Sequence, residues 1–446
     1  MSFPKKGVFH RPFQVSPPQT LALSFLVAIL IGTALLKLPL ATTEPITWID
    51  ALFTATSATT VTGLVVVDTG TAFTVFGQVV IMLLIQIGGL GLMTFAVLIV
   101  IVLGKKIGLR ERILVQEALN QTSIGGVIRL VKILFVFAIL IELVAVILLS
   151  MRWVPEFGWP YGIYTSIFHS ISAFNNAGFS LWSDSLMSYV GDPVVNIIIT
   201  FLFITGGIGF TVLSDLWHTK QFHRLSLHSK IMLVGTLVIN VVAMMLLFTL
   251  EYSNPATLGS LDIGDKLWAS YFQAVTPRTA GFNSLDIGSM TSGSIVFLLL
   301  LMFIGAGSAS TGSGIKLTTF IVIVMAVLTF LRGRNETVVF ERTIKHQIIL
   351  RSLAIVVISL LAVFLTILAL SITENAPFIT IVFEAFSAFG TVGLSMGLTG
   401  ELTPIGKQII IVLMFIGRIG PLTLAFSLAR SQKSSIRYPD GEVFTG

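Results

Sequence analysis

Eight apolar stretches recur along the chain, each near or above the roughly 20 residues that cross a bilayer as a helix. They are Leu21–Leu40, Val75–Leu103, Ile133–Met151, Val194–Leu216, Ile231–Leu250, Ile295–Leu331, Leu353–Ile372 and Ile409–Leu428. About a quarter of the residues in a soluble domain are charged. Here only 11% of 446 are, 54% are hydrophobic, and the mean hydropathy is +0.95. The expected fold is an all-α polytopic membrane protein in one integrated domain. The first apolar run is long, lacks a small-residue cleavage site and resembles the other seven, so no cleavable signal peptide is expected. With no cysteine in the chain, disulfides, thiolate metal sites and thiol catalysis are excluded.

Eight spans put both termini on one side, and the placement of Lys and Arg chooses it. One face holds 20 of the 27, among them Lys5, Lys6, Arg11, the run Lys105–Lys132, Lys220, Arg224, Lys230, the run Arg332–Arg351, Arg430, Lys433 and Arg437. The other holds Lys37, Arg152, Lys266 and Lys407. This bias places both termini in the cytoplasm of a multi-pass cell-membrane protein. It also explains the net charge of +6 without nucleic acid. The opposite face carries most of the acids, including Asp50, Asp68, Asp184, Asp192, Glu251, Asp286 and Glu374. A mouth of that sign concentrates cations, although outer loops that merely avoid Lys and Arg would look similar.

Between alternate spans lie four related segments: FTATSATTVTGL (53–64), FHSISAFNNAGFS (168–180), YFQAVTPRTAGFN (271–283) and FEAFSAFGTVGLS (383–395). Each opens with a helix-compatible run and reaches a glycine followed by Leu or Phe: Gly63, Gly178, Gly281 and Gly393. A second glycine cluster follows after 25, 28, 24 and 24 residues, in IGGLG, GGIGF, IGAGSASTGSGIK and IGRIGP. Two landmarks in register four times imply four copies of span, re-entrant segment, span. The expected boundaries are a cytoplasmic N-terminus 1–18, repeats over 19–112, 113–225, 226–340 and 341–430, and a tail 431–446.

Irregular backbone at membrane depth survives only where protein covers it or where it lines a water-filled path. Four such segments suggest pseudo-fourfold symmetry about an axis lined by backbone carbonyls. Such a ring replaces the hydration shell of a monovalent cation, and glycine permits the backbone angles it needs. The candidate ion-binding quarters are Thr60-Val61-Thr62-Gly63, Asn175-Asn176-Ala177-Gly178, Arg278-Thr279-Ala280-Gly281 and Gly390-Thr391-Val392-Gly393. The plainer alternative is four loops with turn glycines.

The four segments, GAGSASTGSGIK and the arginine of FIGRIGPLT together resemble the membrane subunit of the Trk/Ktr/HKT superfamily of potassium transporters, most closely the Ktr type, over essentially the whole chain. The resemblance implies K+ uptake through a four-segment filter, a homodimer in the membrane, and a cytosolic ring of nucleotide-binding regulatory subunits that senses ATP or ADP. It implies no cofactor on this chain beyond transported K+. Glycine rather than serine at position 63 implies potassium preference. Ktr-type systems are often sodium-stimulated, and no residue here places a sodium site.

The stretch Gly305–Gly314 holds four glycines and four hydroxyl residues in ten positions, too many for a sturdy helix. A flexible intramembrane loop is expected, and the resemblance implies that it obstructs the pore from the cytoplasmic side. The candidate gate residues are Gly305, Gly307, Ser308, Ala309, Ser310, Thr311, Gly312, Ser313, Gly314, Lys316 and Arg418. In IGGLG and GGIGF, close packing of small residues is expected instead. A charge as deep as Arg418 costs at least ~2.5 kcal/mol to insert, so it is expected to face the axis or the loop, or to pair with Glu142. Lys316 acts similarly or snorkels toward the cytoplasm. Glu384 is expected to open the fourth pore helix as a helix-dipole partner. The Arg278 side chain is expected behind the filter, His169 in packing, and Asn175 and Asn176 as braces.

A secondary carrier for another monovalent cation or small solute is the first alternative, but carriers are usually built on twofold repeats. An enzyme would need a nucleophile–base pair or metal cluster, and none is apparent among His10, His169, His218, His223, His228 and His346. The basic runs 105–132 and 332–351 could meet anionic lipid heads or the regulatory ring.

Overall fold

The structure, a computed structural model, describes residues 17–91 and 127–420, with Thr94, Gly108, Ile113, Gln116 and Thr423 besides. The N-terminal basic residues, most of the basic loop after Lys105 and the C-terminal tail lie outside the described residues. So do the far halves of the spans expected over 75–103 and 409–428.

One arrangement recurs four times: a long helix, a short re-entrant helix, an irregular strand and a returning helix. The first unit holds α1 (Pro17–Leu36), α2 (Trp48–Thr60) and α3 (Val75–Leu90); the second α4 (Val127–Phe157), α5 (Trp159–Phe174), α6 (Pro193–Ile208) and α7 (Phe210–His218). The third holds α8 (Leu227–Glu251), α9 (Ile263–Val275), α10 (Ser292–Phe303) and α11 (Leu317–Leu331); the fourth α12 (His346–Thr373), α13 (Phe378–Gly390) and α14 (Pro404–Ile419). A short antiparallel hairpin pairing Val338–Val339 with Arg342–Thr343 joins the last two units.

The long helices α1, α4, α8 and α12 form the outer layer and are long and apolar enough to span a membrane. They leave Leu30, Ile31, Val136, Leu140, Leu237, Leu361 and Phe364 exposed, an apolar surface that only lipid or another chain can cover without cost. The re-entrant helices are the inner layer. Their aromatic side chains Phe53, Phe168, Phe174, Phe272, Phe383 and Phe389 are fully buried.

Each returning helix starts on a capped N-terminus that its own long helix, or the chain just after it, holds in place. Thr74 donates to the Leu40 carbonyl at 2.6 Å, and Arg152 to the cap carboxylate of Asp192 at 2.5 Å. Glu251 accepts from the Thr291 amide and hydroxyl at 2.8 and 2.7 Å, and Glu374 from those of Thr403 at 3.0 and 2.6 Å. Several of the acids expected at a charged mouth, Asp192, Glu251 and Glu374, are therefore helix clasps.

The returning helices are not the continuous spans that hydropathy implies. α3 ends at Gly91 (φ +88°), α6 at Gly209 (φ +107°) and α14 at Gly420 (φ +91°), backbone angles that only glycine adopts freely. α7 departs from α6 at 93°. In the third unit the break widens to the whole segment between Phe303 and Leu317. The preceding glycines press against the ends of the re-entrant helices. A Cβ on Gly88, Gly206 or Gly417 would stand 2.0, 2.0 or 2.1 Å from the carbonyl oxygen of Thr59, Phe174 or Phe389. IGGLG and GGIGF thus combine the close packing expected of them with a chain break that was not.

Candidate functional site

Beyond each re-entrant helix the chain turns at one residue with left-handed backbone: Val61 (φ 58°), Asn176 (58°), Thr279 (76°) and Thr391 (48°). Two residues later come Gly63, Gly178, Gly281 and Gly393, at φ 89°, 68°, 80° and 94°. Non-glycine residues enter this region rarely, so four at one offset mark a shared constraint. Positive φ on alternate residues keeps N–H groups on one side of a strand and carbonyls on the other. The N–H side faces the parent helix. The amides of Thr62, Ala177 and Val392 donate to Ser57, Ser172 and Ser387 carbonyls at 2.8–2.9 Å, and Ala280 to Thr276 at 2.9 Å. The Gly63 and Gly393 amides donate to the hydroxyls of Ser57 and Ser387, both at 3.1 Å. Among the described residues, no carbonyl oxygen of the four quarters accepts a hydrogen bond from another protein group.

The strands close into a ring. A Cβ on Gly63 would lie 2.4 Å from the Ala177 carbonyl oxygen, and one on Gly178 2.8 Å from the Gly281 Cα. One on Gly281 would lie 2.2 Å from the Val392 oxygen, and one on Gly393 2.3 Å from the Thr62 oxygen. On the side away from the segment 304–316 the ring opens into a cavity of about 390 Å3 lined by the four glycines and by Asp68, Asp184 and Asp286. The four cations that the sequence places on the face opposite the termini are engaged elsewhere. Lys407 meets Asp50 at 2.7 Å, Arg152 meets Asp192 and Glu156, and Lys266 and Lys37 lie over Tyr252 and Trp48. Burial pushes the Asp50 carboxyl up, but hydrogen bonds from Lys407 and Thr47 outweigh it and hold the carboxyl below its usual range.

On the opposite side the segment 304–316 folds back as a loop against the ring. Its backbone is pinned by Gly305 N–H to the Ile315 carbonyl at 2.8 Å, Gly307 to Gly207 at 2.8 Å and Thr311 to Gly206 at 3.2 Å. The Thr311 hydroxyl donates to Asn176 Oδ1 at 2.8 Å, and the Ser310 hydroxyl to the Gly307 carbonyl at 2.7 Å. Lys316 caps α11 and turns its ammonium onto the Gly312 carbonyl at 2.8 Å, not outward. Arg418 donates from Nη1 to the Thr311 carbonyl and to Ser313 Oγ at 3.1 Å. From Nη2 it donates to the carbonyls of Gly88 and, at 3.3 Å, Gly89. The guanidinium thus bridges the loop and the broken end of α3. A cavity of about 190 Å3 beneath is lined by Ala309, Ser310, Gly312, Ser313, Gly314, Lys316, Arg351 and Arg418. Ser308 reaches the second unit through its backbone: a Cβ on Gly209 would lie 2.5 Å from its carbonyl oxygen.

Glu142 does not pair with Arg418. It accepts from Gln86 Nε2 at 3.1 and 3.2 Å, while Asn175 Nδ2 donates to Gln86 Oε1 at 2.6 Å. Glu384 does not open its helix either. Pro377 caps α13, so Glu384 sits mid-helix, fully buried, and accepts from Ser395 Oγ at 2.8 Å and from the Thr399 hydroxyl. A carboxylate there secures the chain just after the fourth glycine. Arg278 is buried and lines a small cavity with Met232, Thr236 and Ala306, away from the ring glycines. His169 stacks on Trp182 at 4.3 Å, with Nδ1 on the Thr165 carbonyl and Nε2 on Ser180 Oγ. Among the described residues, no group of His, Asp and Glu could hold a metal ion.

The family described as TrkH, cation transport protein, matches residues 14–438. The chain belongs to this family. Relatives span its whole length. The Ktr system potassium uptake protein B of Bacillus subtilis is 71% identical over 97% of both chains. The potassium/sodium uptake protein NtpJ of Enterococcus hirae is 39% identical over the full length of both. The crystal structure of the potassium transporter TrkH from Vibrio parahaemolyticus has the same fold, with a TM-score of 0.72 over 94% of this chain and 86% of that one, at 21% identity. This family of transporters accounts for a polytopic helical membrane protein.

Some residues of the candidate site escaped the reading of the sequence. The hydroxyl six residues before the glycine, Ser57, Ser172 and Ser387, stands in a repeated Ser-Ala pair that was there to be found. Gln86, one turn before the α3 break, carried no such signal.

Proposed function

We propose that this chain is the ion-translocating subunit of a Ktr-type potassium uptake system in the cell membrane. The ring of four strands is its selectivity filter, and the loop 304–316 with Arg418 and Lys316 its gate. One observation carries the reading: four chain segments bring to one closed ring carbonyls that, among the described residues, no protein donor occupies. Neutral carbonyl dipoles replace the water shell of a monovalent cation without holding it too tightly to leave. Gly63, Gly178, Gly281 and Gly393 are where only glycine fits. The asparagines brace the ring, and Arg278, behind it, keeps its charge off the ion path.

Potassium as the ion is supported by the names of the relatives and by glycine at position 63. The three aspartates of the outer cavity raise the local cation concentration. The loop fills the space under the ring while the Arg418 and Lys316 cations oppose a passing ion. A Ktr system has more than one component, so we assign control of the loop to a cytosolic ring of nucleotide-binding subunits. That ring meets the inner face, including the exposed Val338–Thr343 hairpin, and the membrane subunit works as a homodimer with both termini cytoplasmic.

The test is flux of K+, Rb+ and Na+ into proteoliposomes holding this chain, with Gly63→Ser and a deletion of Gly307–Ser313 alongside. Potassium influx, more Na+ through Gly63→Ser and faster flux through the deletion support the reading. If no monovalent cation moves while an organic solute does, the chain is a carrier instead.

A further inference from the structure

The Asn176 side chain touches both halves of this apparatus. Its Oδ1 accepts from the Thr311 hydroxyl of the loop at 2.8 Å, and its Nδ2 donates to Thr279 Oγ1 at 3.3 Å. Asn176 and Thr279 are the left-handed residues of quarters two and three, whose angles set the direction of the carbonyls on either side. The corresponding residues of the other quarters make no such link. Val61 has no polar side-chain atom, and the buried Thr391 hydroxyl has no partner among the described residues. Gly312 presses on the same place: a Cβ there would lie 2.3 Å from Thr279 Oγ1. Because Arg418 donates to the Thr311 carbonyl, one hydrogen-bonded chain runs from Arg418 through Thr311 and Asn176 to Thr279.

We propose that Asn176 is a positioning residue through which the docked loop holds the second and third quarters of the ring, so that ion discrimination depends on whether the loop is in place. The inference rests on the filter-and-gate reading above. Asparagine suits the task because it tolerates left-handed backbone better than most residues and offers a donor and an acceptor on one short side chain. Among the described residues, Thr311 is the only donor to Oδ1. When the loop leaves, that oxygen stands unpaired in a buried site, a costly state that water or a shift of the strand must relieve. Two of the four quarters then change shape while the other two keep their braces from Ser57 and Ser387. Discrimination and conduction thus become properties of a single two-state element instead of separate layers.

The experiment uses the full chain in proteoliposomes and reads two quantities, the rate of Rb+ uptake and the ratio of Na+ to K+ uptake. Thr311→Val removes the donor and keeps the volume, and Thr279→Val removes the acceptor on the other side. Thr311 lies outside the ring and contributes no carbonyl to it, so a merely steric gate residue would change the rate and leave the ratio alone. We expect Thr311→Val to shift the ratio about fivefold, the factor that one net hydrogen bond carries. The double variant should exceed neither single one by much, because both cut the same chain. An unchanged ratio in a Thr311→Val protein that elutes like the parent overturns the coupling, as do single effects that simply multiply. Gly63→Ser and the loop deletion separate the two failures. If they act as stated while the Thr311→Val ratio stays put, only the coupling falls; if they too do nothing, the filter-and-gate reading falls with it.

Discussion

Replacing Arg418 with methionine keeps most of the side-chain volume and removes every donor that joins the loop to α3. Two of its hydrogen bonds go to the loop, to the Thr311 carbonyl and to Ser313 Oγ. Hydrogen bonds from a charged group contribute roughly 1.5–3 kcal/mol each, so docking weakens by about 3 kcal/mol, a hundredfold in the ratio of docked to released loop. The charge matters separately. At ~8 Å and an effective dielectric near 20, a unit positive charge opposes a passing cation by about 2 kcal/mol. The two effects share one site and will not add fully, so a rise of at least tenfold in Rb+ uptake is the expected outcome. The assay is tracer uptake into proteoliposomes against a K+ gradient, with size-exclusion elution as the control for folding. Arg418→Lys keeps the charge but cannot span Gly88 and Thr311 at once, so its rise should be smaller. Uptake by Arg418→Met at or below the parent rate, from correctly eluting protein, would refute the assignment of Arg418 to the barrier.

Gly63→Ala places a Cβ on a residue at φ +89° and 2.4 Å from the Ala177 carbonyl oxygen. Left-handed strain of ~1–2 kcal/mol should lower the melting temperature in detergent, and the pushed-apart carbonyls should admit more Na+ relative to K+ in the flux assay. Replacing Asp68, Asp184 and Asp286 together with asparagine should raise the half-saturating K+ concentration and leave the maximal rate near the parent value. That difference should shrink as ionic strength goes from ~0.01 to ~0.15 M, because the screening length falls from about 30 to about 8 Å. The Asp50–Lys407 clasp ties the first unit to the fourth. Because the folded Asp50 carboxyl lies below its usual range, the clasp stabilises the fold above the unfolded value near ~4 and is lost as pH falls through the folded one. Melting curves of Lys407→Met should therefore lie below the parent at neutral pH and converge with it in acid.

The recurrence of Gly63, Gly178, Gly281 and Gly393 was legible because glycine at a fixed offset from a helical run has a physical cause, positive φ, that no other residue meets freely. The breaks at Gly91, Gly209 and Gly420 were not. A hydropathy window measures how apolar a stretch is and is blind to a 93° bend within it. Glu384 was misplaced for a related reason. Its helix begins where Pro377 sets it, and the Ser395 and Thr399 hydroxyls that hold it come from the chain beyond the ring. The Gln86, Glu142 and Asn175 contacts join residues 56 and 89 positions apart, and nothing local in the sequence announces them. What repeats along a chain can be read from it, whereas partners drawn from different repeats need the fold.

The most direct test of the central claim is where a heavy cation sits. Anomalous diffraction from crystals of this chain grown in rubidium should show a peak on the axis of the ring, among the carbonyls of Thr62, Ala177, Ala280 and Val392 and those of the glycines that follow them. A ring without rubidium, with the ion bound instead behind it near Glu142, would contradict the account.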